Sequence, residues 1–267
     1  MKKMNAAVLT EYKKVEWKTV DIPEISGNEA LVKVGYACIC GSDQHVWLGE
    51  FHPRNPIPLI QGHEFAGTIV ETGPDVKNFK AGDRVAVDPI IWCGKCPACL
   101  RHHYPACSTL KLVGIDLDGG FSEYMKVPET MLYRVTDNIS DKHAALVEVL
   151  SIGFHACNRA KVCSNDRIVI WGAGKVGQSI LQAVRTKTGN TVIMIDLLDE
   201  RLSIAKNAYP DVEIVNASKT DAVARIKELT GGEGVDIAFE AVGHYKDVSG
   251  VVRSEEHTSE LQSRQSI

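Results

Sequence analysis

From Arg167 the sequence runs RIVIWGAGKVGQSILQAV, an apolar stretch that breaks on Gly172, Gly174 and Gly177 and resumes with helical spacing. Few backbone paths satisfy that order. An apolar run before the glycines suits a buried strand, and apolar positions recurring at helical intervals after them suit a helix. In such a strand, turn and helix the glycines permit the tight turn, the close backbone approach to a pyrophosphate and the close contact of helix with strand. The helix N-terminus then faces the negative charge. Gly172, Gly174, Val176 and Gly177 are therefore candidate dinucleotide-binding residues.

A glycine pattern of this kind is weak alone, but here it has a continuation. TVIMID, a second strand candidate, ends in Asp196 about twenty residues further on, where the dinucleotide fingerprint places an acid. An acid there accepts hydrogen bonds from a ribose diol and repels a 2′-phosphate, which favours NAD over NADP. A helix-capping role for Asp196 before LLDERL fits the end of a strand less well. Arg201 either touches the adenosine ribose or lies on a solvated helix face. VEIVNA and VDIAFEAVG supply two further strands around the helical DAVARIKELTGG. Alternating strand and helix predicts an α/β architecture with a parallel, doubly wound sheet.

Four of the eight cysteines fall within CGKCPACLRHHYPAC. The apolar run of the N-terminus is broken by Glu11, Lys13 and Lys14, so no secretory signal core forms and a cytoplasmic protein is expected. In a reducing compartment closely spaced cysteines are metal ligands or catalytic thiols before they are disulfides. Cys93, Cys96, Cys99 and Cys107 offer four soft donors to a tetrahedral zinc, at about 2.3 Å from each sulfur, and leave no open position. The lobe is thus expected to be structural. Its segment is too polar for a cluster of buried free cysteines, and His102 and His103 are expected in solvated loop.

A zinc lobe by itself also suits a nucleic-acid or protein-binding module. The net charge of −4, with bases scattered among acids, gives no footprint for a phosphate backbone. Neither nucleic acid nor membrane is expected as a partner. At 267 residues and 44% hydrophobic composition, two domains with buried cores are expected.

A second set of donors lies in CICGSDQH and GHEFAGTIVETGPDV, which hold Cys40, His63 and Glu64 with Ser42 and His45 beside them. Thiolate, imidazole and carboxylate are the donors of a catalytic zinc, which keeps three protein ligands and one open position. Singly these residues are ordinary: Glu64 a surface carboxylate, Ser42 a turn residue, His45 an exposed loop histidine. Cys38, Cys157 and Cys163 match no ligand position and are expected as small core residues. Trp47 and Phe51 line a pocket or join the core.

GHEFAGTIVETGPDVKNFKAGDRV, CGKCPACLRHHYPAC, GGFSEYMKVP and ALVEVLSIGFHAC follow one another in a single order. In this the chain, from residue 5 to about 252, resembles the zinc-dependent medium-chain alcohol/polyol dehydrogenases, nearest to the sorbitol (L-iditol) dehydrogenase branch. The resemblance implies a GroES-like, β-rich catalytic domain over 1–152 with a structural zinc lobe at 93–107. It implies a partial Rossmann domain for NAD over 153–252. Catalytic zinc would sit on Cys40 and His63, with Glu64 and Glu148 as carboxylates for the remaining place; Glu148 precedes Val149 where the family usually has proline. Asp43 resembles the carboxylate that orients an imidazole by accepting its free N–H. The implied activity is oxidation of a secondary alcohol or polyol to a ketone, with hydride passing to NAD. Its proton would leave through Ser42, the nicotinamide ribose and His45. L-Threonine and butanediol dehydrogenases, with similar ligands, are the alternatives, while a zinc-free quinone reductase is disfavoured by Cys40, His63 and the lobe.

After Val252 the chain reads RSEEHTSELQSRQSI, almost without aliphatic residues. RSEEHTSELQS matches the in-frame translation of a sequencing-library adapter, so 253–267 is expected to be non-native and the natural frame to continue past Val252. A sheet of order 3-2-1-4-5-6 would then lack its last two strands. The parent is expected to be a homodimer or homotetramer. The chain as written is expected to have lost dimerisation and most activity, at the limit persisting as an inactive zinc-binding fragment.

Overall fold

The computed structural model describes residues 2–243, and the chain divides into two compact units, Met1–Glu148 and Val149–Ile267. The expected tail at 253–267 lies outside the described residues, as does any fifth or sixth strand.

The first unit is built from short strands. In chain order they are β1 (Lys3–Glu11), β2 (Lys14–Asp21), β3 (Glu29–Cys38), β4 (Leu59–Ile60), β5 (Glu64–Thr72), β6 (Arg84–Val87), β7 (Ile90–Ile91), β8 (Lys111–Leu112), β9 (Tyr124–Pro128) and β10 (Leu132–Arg134). Helix α1 (Gly41–Leu48) follows β3, α2 (Pro97–Leu100) lies in the cysteine lobe, and α3 (Asp141–Ala144) follows β10. One antiparallel sheet has the order β10-β6-β5-β3-β9, and a second has β2-β1-β4. β5 is central because its residues Phe65 and Ile69 are almost wholly buried, packed with Val32, Val85, Val127 and Leu132 of the neighbouring strands. Its pairing with β3 sets Glu64 opposite Cys38. That register brings two distant stretches of sequence together.

The second unit holds α4 (Val147–Ala160, entering from the first), α5 (Lys175–Arg185), α6 (Asp199–Ala208) and α7 (Ala222–Leu229), with strands β11 (Ile168–Trp171), β12 (Val192–Asp196), β13 (Glu213–Asn216) and β14 (Ile237–Glu240). The strands are parallel in the order β13-β12-β11-β14. β11 feeds two cores by alternation: Ile168 and Ile170 pack with Ile180, Leu181 and Val184 of α5, while Val169 and Trp171 pack with Ile226 of α7. Helices therefore cover both faces, the doubly wound arrangement that the sequence pattern predicts. Each such aliphatic side chain contributes about 1.5–3 kcal/mol on full burial. A Cβ on Gly177 would fall 1.8 Å from the carbonyl oxygen of Gly172, so only glycine lets α5 lie this close to the turn.

Cys157 is buried as expected, and Trp47 and Phe51 pack on the core of Leu9, Val46 and Leu59. Cys163, expected in the core, is exposed instead. Lys161 turns the chain with φ 53° after α4, and the Cys163 amide is held by Asp166 Oδ2 at 2.7 Å in a surface turn. No helix among the described residues is long and apolar enough to cross a membrane.

Candidate functional site

Cys40 stands between β3 and α1, as the helix N-cap, with extended backbone (φ −95°, ψ 158°). Asp43, in the first turn, accepts the Cys40 N–H through Oδ2 at 2.7 Å, closing a capping box of the kind that satisfies the open amides of a helix start. Its other oxygen, Oδ1, lies 3.5 Å from His63 Nδ1. Gln61 locks the arrangement by donating from Nε2 to the Asp43 carbonyl at 2.8 Å.

His63 immediately precedes β5 and Glu64 begins it, and they are only 8% and 1% exposed. The donor atoms of Cys40, His63 and Glu64 all lie within 4.8 Å of one another. With Nδ1 turned to Asp43, His63 Nε2 points to the other side, 3.9 Å from Glu64 Oε1 and 3.4 Å from Ser42 Oγ. Burial pushes the imidazole pKa down, but the Asp43 carboxylate and the Cys40 thiol outweigh it and lift His63 to about 10. The pocket thus favours positive charge at this point. Sulfur, nitrogen and oxygen donors around one point, with a carboxylate behind the imidazole, fit zinc and leave its fourth position open. Glu148, in the first turn of α4 and half-buried, is not part of this trio.

Cys93, Cys96, Cys99 and Cys107 also bring their sulfurs within 4.8 Å of one another. Cys96 caps α2, Cys99 lies within it, and Cys107 follows a single 3₁₀ turn at Tyr104–Ala106. Cys93 Sγ and Cys99 Sγ are 3.9 Å apart, close to the ~3.8 Å edge of a tetrahedron with bonds of about 2.3 Å. Backbone amides aim at the sulfurs: Cys93 N–H donates to Cys107 Sγ and Cys96 N–H to Cys93 Sγ, both at 3.4 Å. The amides of Cys99 and Ser108 pull the Cys96 thiol down to about 5, while burial pushes Cys99 up to about 12. Thiolates stabilised by amides but repelling one another suit a dication at their centre. His102 and His103 are exposed and outside the set.

In the second unit Gly174 caps α5, and a Cβ there would meet nothing within 4 Å. The space above the turn is open to a phosphate. Asp196, at the end of β12, accepts from Ala173 N–H through Oδ2 at 2.7 Å and from Leu198 N–H through Oδ1 at 3.0 Å. Its carboxylate braces the glycine turn against the next strand. Arg201 Nη1 lies 3.6 Å from Asp196 Oδ2, and Val176 is in the first turn of α5.

Three residues escape a reading of motifs. Gln61 latches Asp43, and Gln178 Nε2 donates to the carbonyls of Ala173 and Arg201, tying the glycine turn to α6. Glu50 Oε2 lies 2.5 Å from His45 Nδ1. Only the last has a local sign, the glycine at position 49 that ends α1 and folds the chain back.

Residues 26–137 match the alcohol dehydrogenase GroES-like domain, and residues 176–256 match the zinc-binding dehydrogenase domain. The chain is 36% identical over 246 residues to the sorbitol dehydrogenase of Bacillus subtilis, covering 90% of this chain and 69% of that protein. It belongs to the zinc-dependent medium-chain alcohol/polyol dehydrogenases. Solved structures agree with this. A Sinorhizobium meliloti protein described as a zinc-binding dehydrogenase, bound to NADP, superposes with a TM-score of 0.90 at 30% identity, covering 95% of this chain and 74% of that one. An Escherichia coli alcohol dehydrogenase complexed with NADH gives 0.87 at 31% identity over 95% and 74% of the two chains. The dehydrogenase is an oxidoreductase of a family that works with zinc and NAD or NADP.

Proposed function

We propose that this dehydrogenase oxidises a secondary alcohol or polyol to a ketone, with NAD as the preferred hydride acceptor. The observation that carries this reading is the trio Cys40, His63 and Glu64, three different donors gathered around one point with Asp43 behind the imidazole. A zinc held there supplies Lewis-acid polarisation of the substrate hydroxyl near neutral pH.

The chain's own residues do the rest. Cys40, His63 and Glu64 hold the metal, and Asp43 fixes the ring of His63 by facing Nδ1, so that Nε2 is presented as the ligand atom. Ser42, whose Oγ lies beside Nε2, would accept the hydroxyl proton, and with the ribose of a bound nicotinamide between them His45, half-exposed on the last turn of α1, would pass it to water. The four-cysteine lobe holds a structural zinc. Gly172, Gly174, Val176 and Gly177 receive the pyrophosphate at the start of α5. Asp196 puts a carboxylate at the end of β12, where it favours a ribose diol over a 2′-phosphate; Arg201 beside it lies at the same edge. Of the possible substrates the polyol class is preferred, because the nearest motif resemblance is to that branch.

Metal analysis and NAD reduction by sorbitol, L-threonine and butanediol, with NADP as the comparison, test this reading. Two zinc ions per chain are expected, falling to one in Cys40→Ser with loss of turnover. A wild-type chain that holds a single zinc, released by Cys99→Ser and unaffected by Cys40→Ser, would overturn the catalytic assignment.

A further inference from the structure

We infer that Glu50 is a positioning residue for His45: it holds the imidazole proton on Nδ1 and so leaves the Nε2 lone pair to receive the proton released in the reaction. This rests on the dehydrogenase reading of the site.

The local chain geometry builds the pair. Gly49, at φ 84°, stops α1 in the left-handed region; its N–H donates to the Val46 carbonyl, and the Glu50 N–H donates to the His45 carbonyl at 3.0 Å. This fold-back carries the Glu50 side chain onto the last turn of its own helix. Glu50 Oε2 then lies 2.5 Å from His45 Nδ1, and the Phe51 ring meets the imidazole edge-on at 6.3 Å. An ionised carboxylate only accepts hydrogen bonds, so the proton between the two sits on Nδ1, and in the neutral ring Nε2 is then the nitrogen that carries the lone pair. A histidine side chain free in water prefers the opposite tautomer, with the proton on Nε2. Both side chains are about half exposed, 56% and 54%, where an ion pair adds little to stability. The effect of the contact is therefore on the orientation and tautomer of the ring.

The proton balance is simple. Nε2 takes up the proton that leaves the alcohol, the neutral ring becomes imidazolium beside the Glu50 carboxylate, and one proton then passes to bulk water to restore the neutral ring. Glu50 itself is unchanged at the end.

Nitrogen-15 NMR of the histidine-labelled chain reads the tautomer directly, with His45 assigned by His45→Gln. The neutral wild-type ring is expected to carry its proton on Nδ1. Glu50→Gln, whose side-chain oxygen still accepts, keeps much of that form, and Glu50→Ala reverts to Nε2–H. Turnover in Glu50→Ala is expected to fall on the order of 10-fold, a fraction of what acid–base catalysis contributes. KM for NAD is unchanged, and no further loss follows in a His45→Ala background. A wild-type ring protonated on Nε2, or a tautomer that Glu50→Ala does not move, overturns the assignment. Should the Nδ1–H form be present and respond to Glu50→Ala while no secondary alcohol reduces NAD, the pairing is upheld and the dehydrogenase reading fails.

Discussion

Asp43 caps α1 with one carboxylate oxygen and faces His63 Nδ1 with the other. Asp43→Asn keeps a capping oxygen but removes the charge behind the imidazole. Zinc at the Cys40 site is then expected to bind about 10- to 100-fold more weakly, read by chelator competition, with the lobe zinc as an internal control. Equal weakening at both sites would show a general loss of structure instead. A different pair contributes to the acid limb of stability. Arg54 grips Asp116 through Nε and Nη2 at 2.8 and 2.7 Å, and Leu112 N–H adds a third bond at 2.7 Å. The guanidinium holds the Asp116 carboxyl below its ordinary value of 3.8. Since the folded carboxyl releases its proton more readily than the unfolded one, the stabilisation is complete above the ordinary value and is lost as pH falls through the folded one. Asp116→Asn should therefore melt at a lower temperature than wild type above about pH 5, with the gap closing toward pH 3. A gap that stays constant across that range would remove Asp116 from the acid transition.

Among the elements, those announced by local punctuation were the most legible. RIVIWGAGKVG reads as strand, turn and helix because each step is encoded within a few residues, and β11 and α5 form as that pattern predicts. Four cysteines in fifteen residues likewise converge with no help from distant chain. The trio Cys40, His63 and Glu64 was legible as donor types, but the contact itself depends on β3 meeting β5 in a register that places Cys38 across from Glu64, which no local pattern specifies. Gln61 and Gln178 act by reaching backbone carbonyls far along the chain, and their residue types carry no such sign; Glu50 is marked only by the glycine before it. Cys163 shows the converse: its composition suits a core, but the turn at Lys161 leaves it on the surface. Gly177→Val tests the best-encoded element. Its side chain meets the Gly172 carbonyl, so α5 must shift, at a cost of about 1–3 kcal/mol. The melting temperature and NADH affinity, the latter followed by fluorescence, should fall together. If both stay at wild-type values, the close contact of helix and turn is not needed.

At the scale of the molecule, the two kinds of chemistry are housed in different compact units. All seven residues of the two donor clusters found among the described residues precede Glu148, whereas the glycine turn and Asp196 lie beyond it. The donors gathered in the first unit favour positive charge at their centre: the Asp43 carboxylate and the Cys40 thiol raise the pKa of His63 to about 10, and burial raises that of Cys99 to about 12. The second unit is stabilised by aliphatic layers on both faces of its sheet and includes none of the clustered donors. Treatment with 1,10-phenanthroline should therefore abolish alcohol oxidation while leaving NADH binding within about 2-fold of its starting value, since a ligand's affinity follows only those contacts that differ between the two states. Metal content, turnover and NADH fluorescence followed on the same sample distinguish the outcomes. Turnover that tracks the first zinc lost, with unchanged NADH affinity, assigns the labile ion to the Cys40 site. A parallel loss of NADH affinity would mean that the nucleotide turn depends on a metal-bearing unit for its shape, and the division of labour between the units would have to be abandoned.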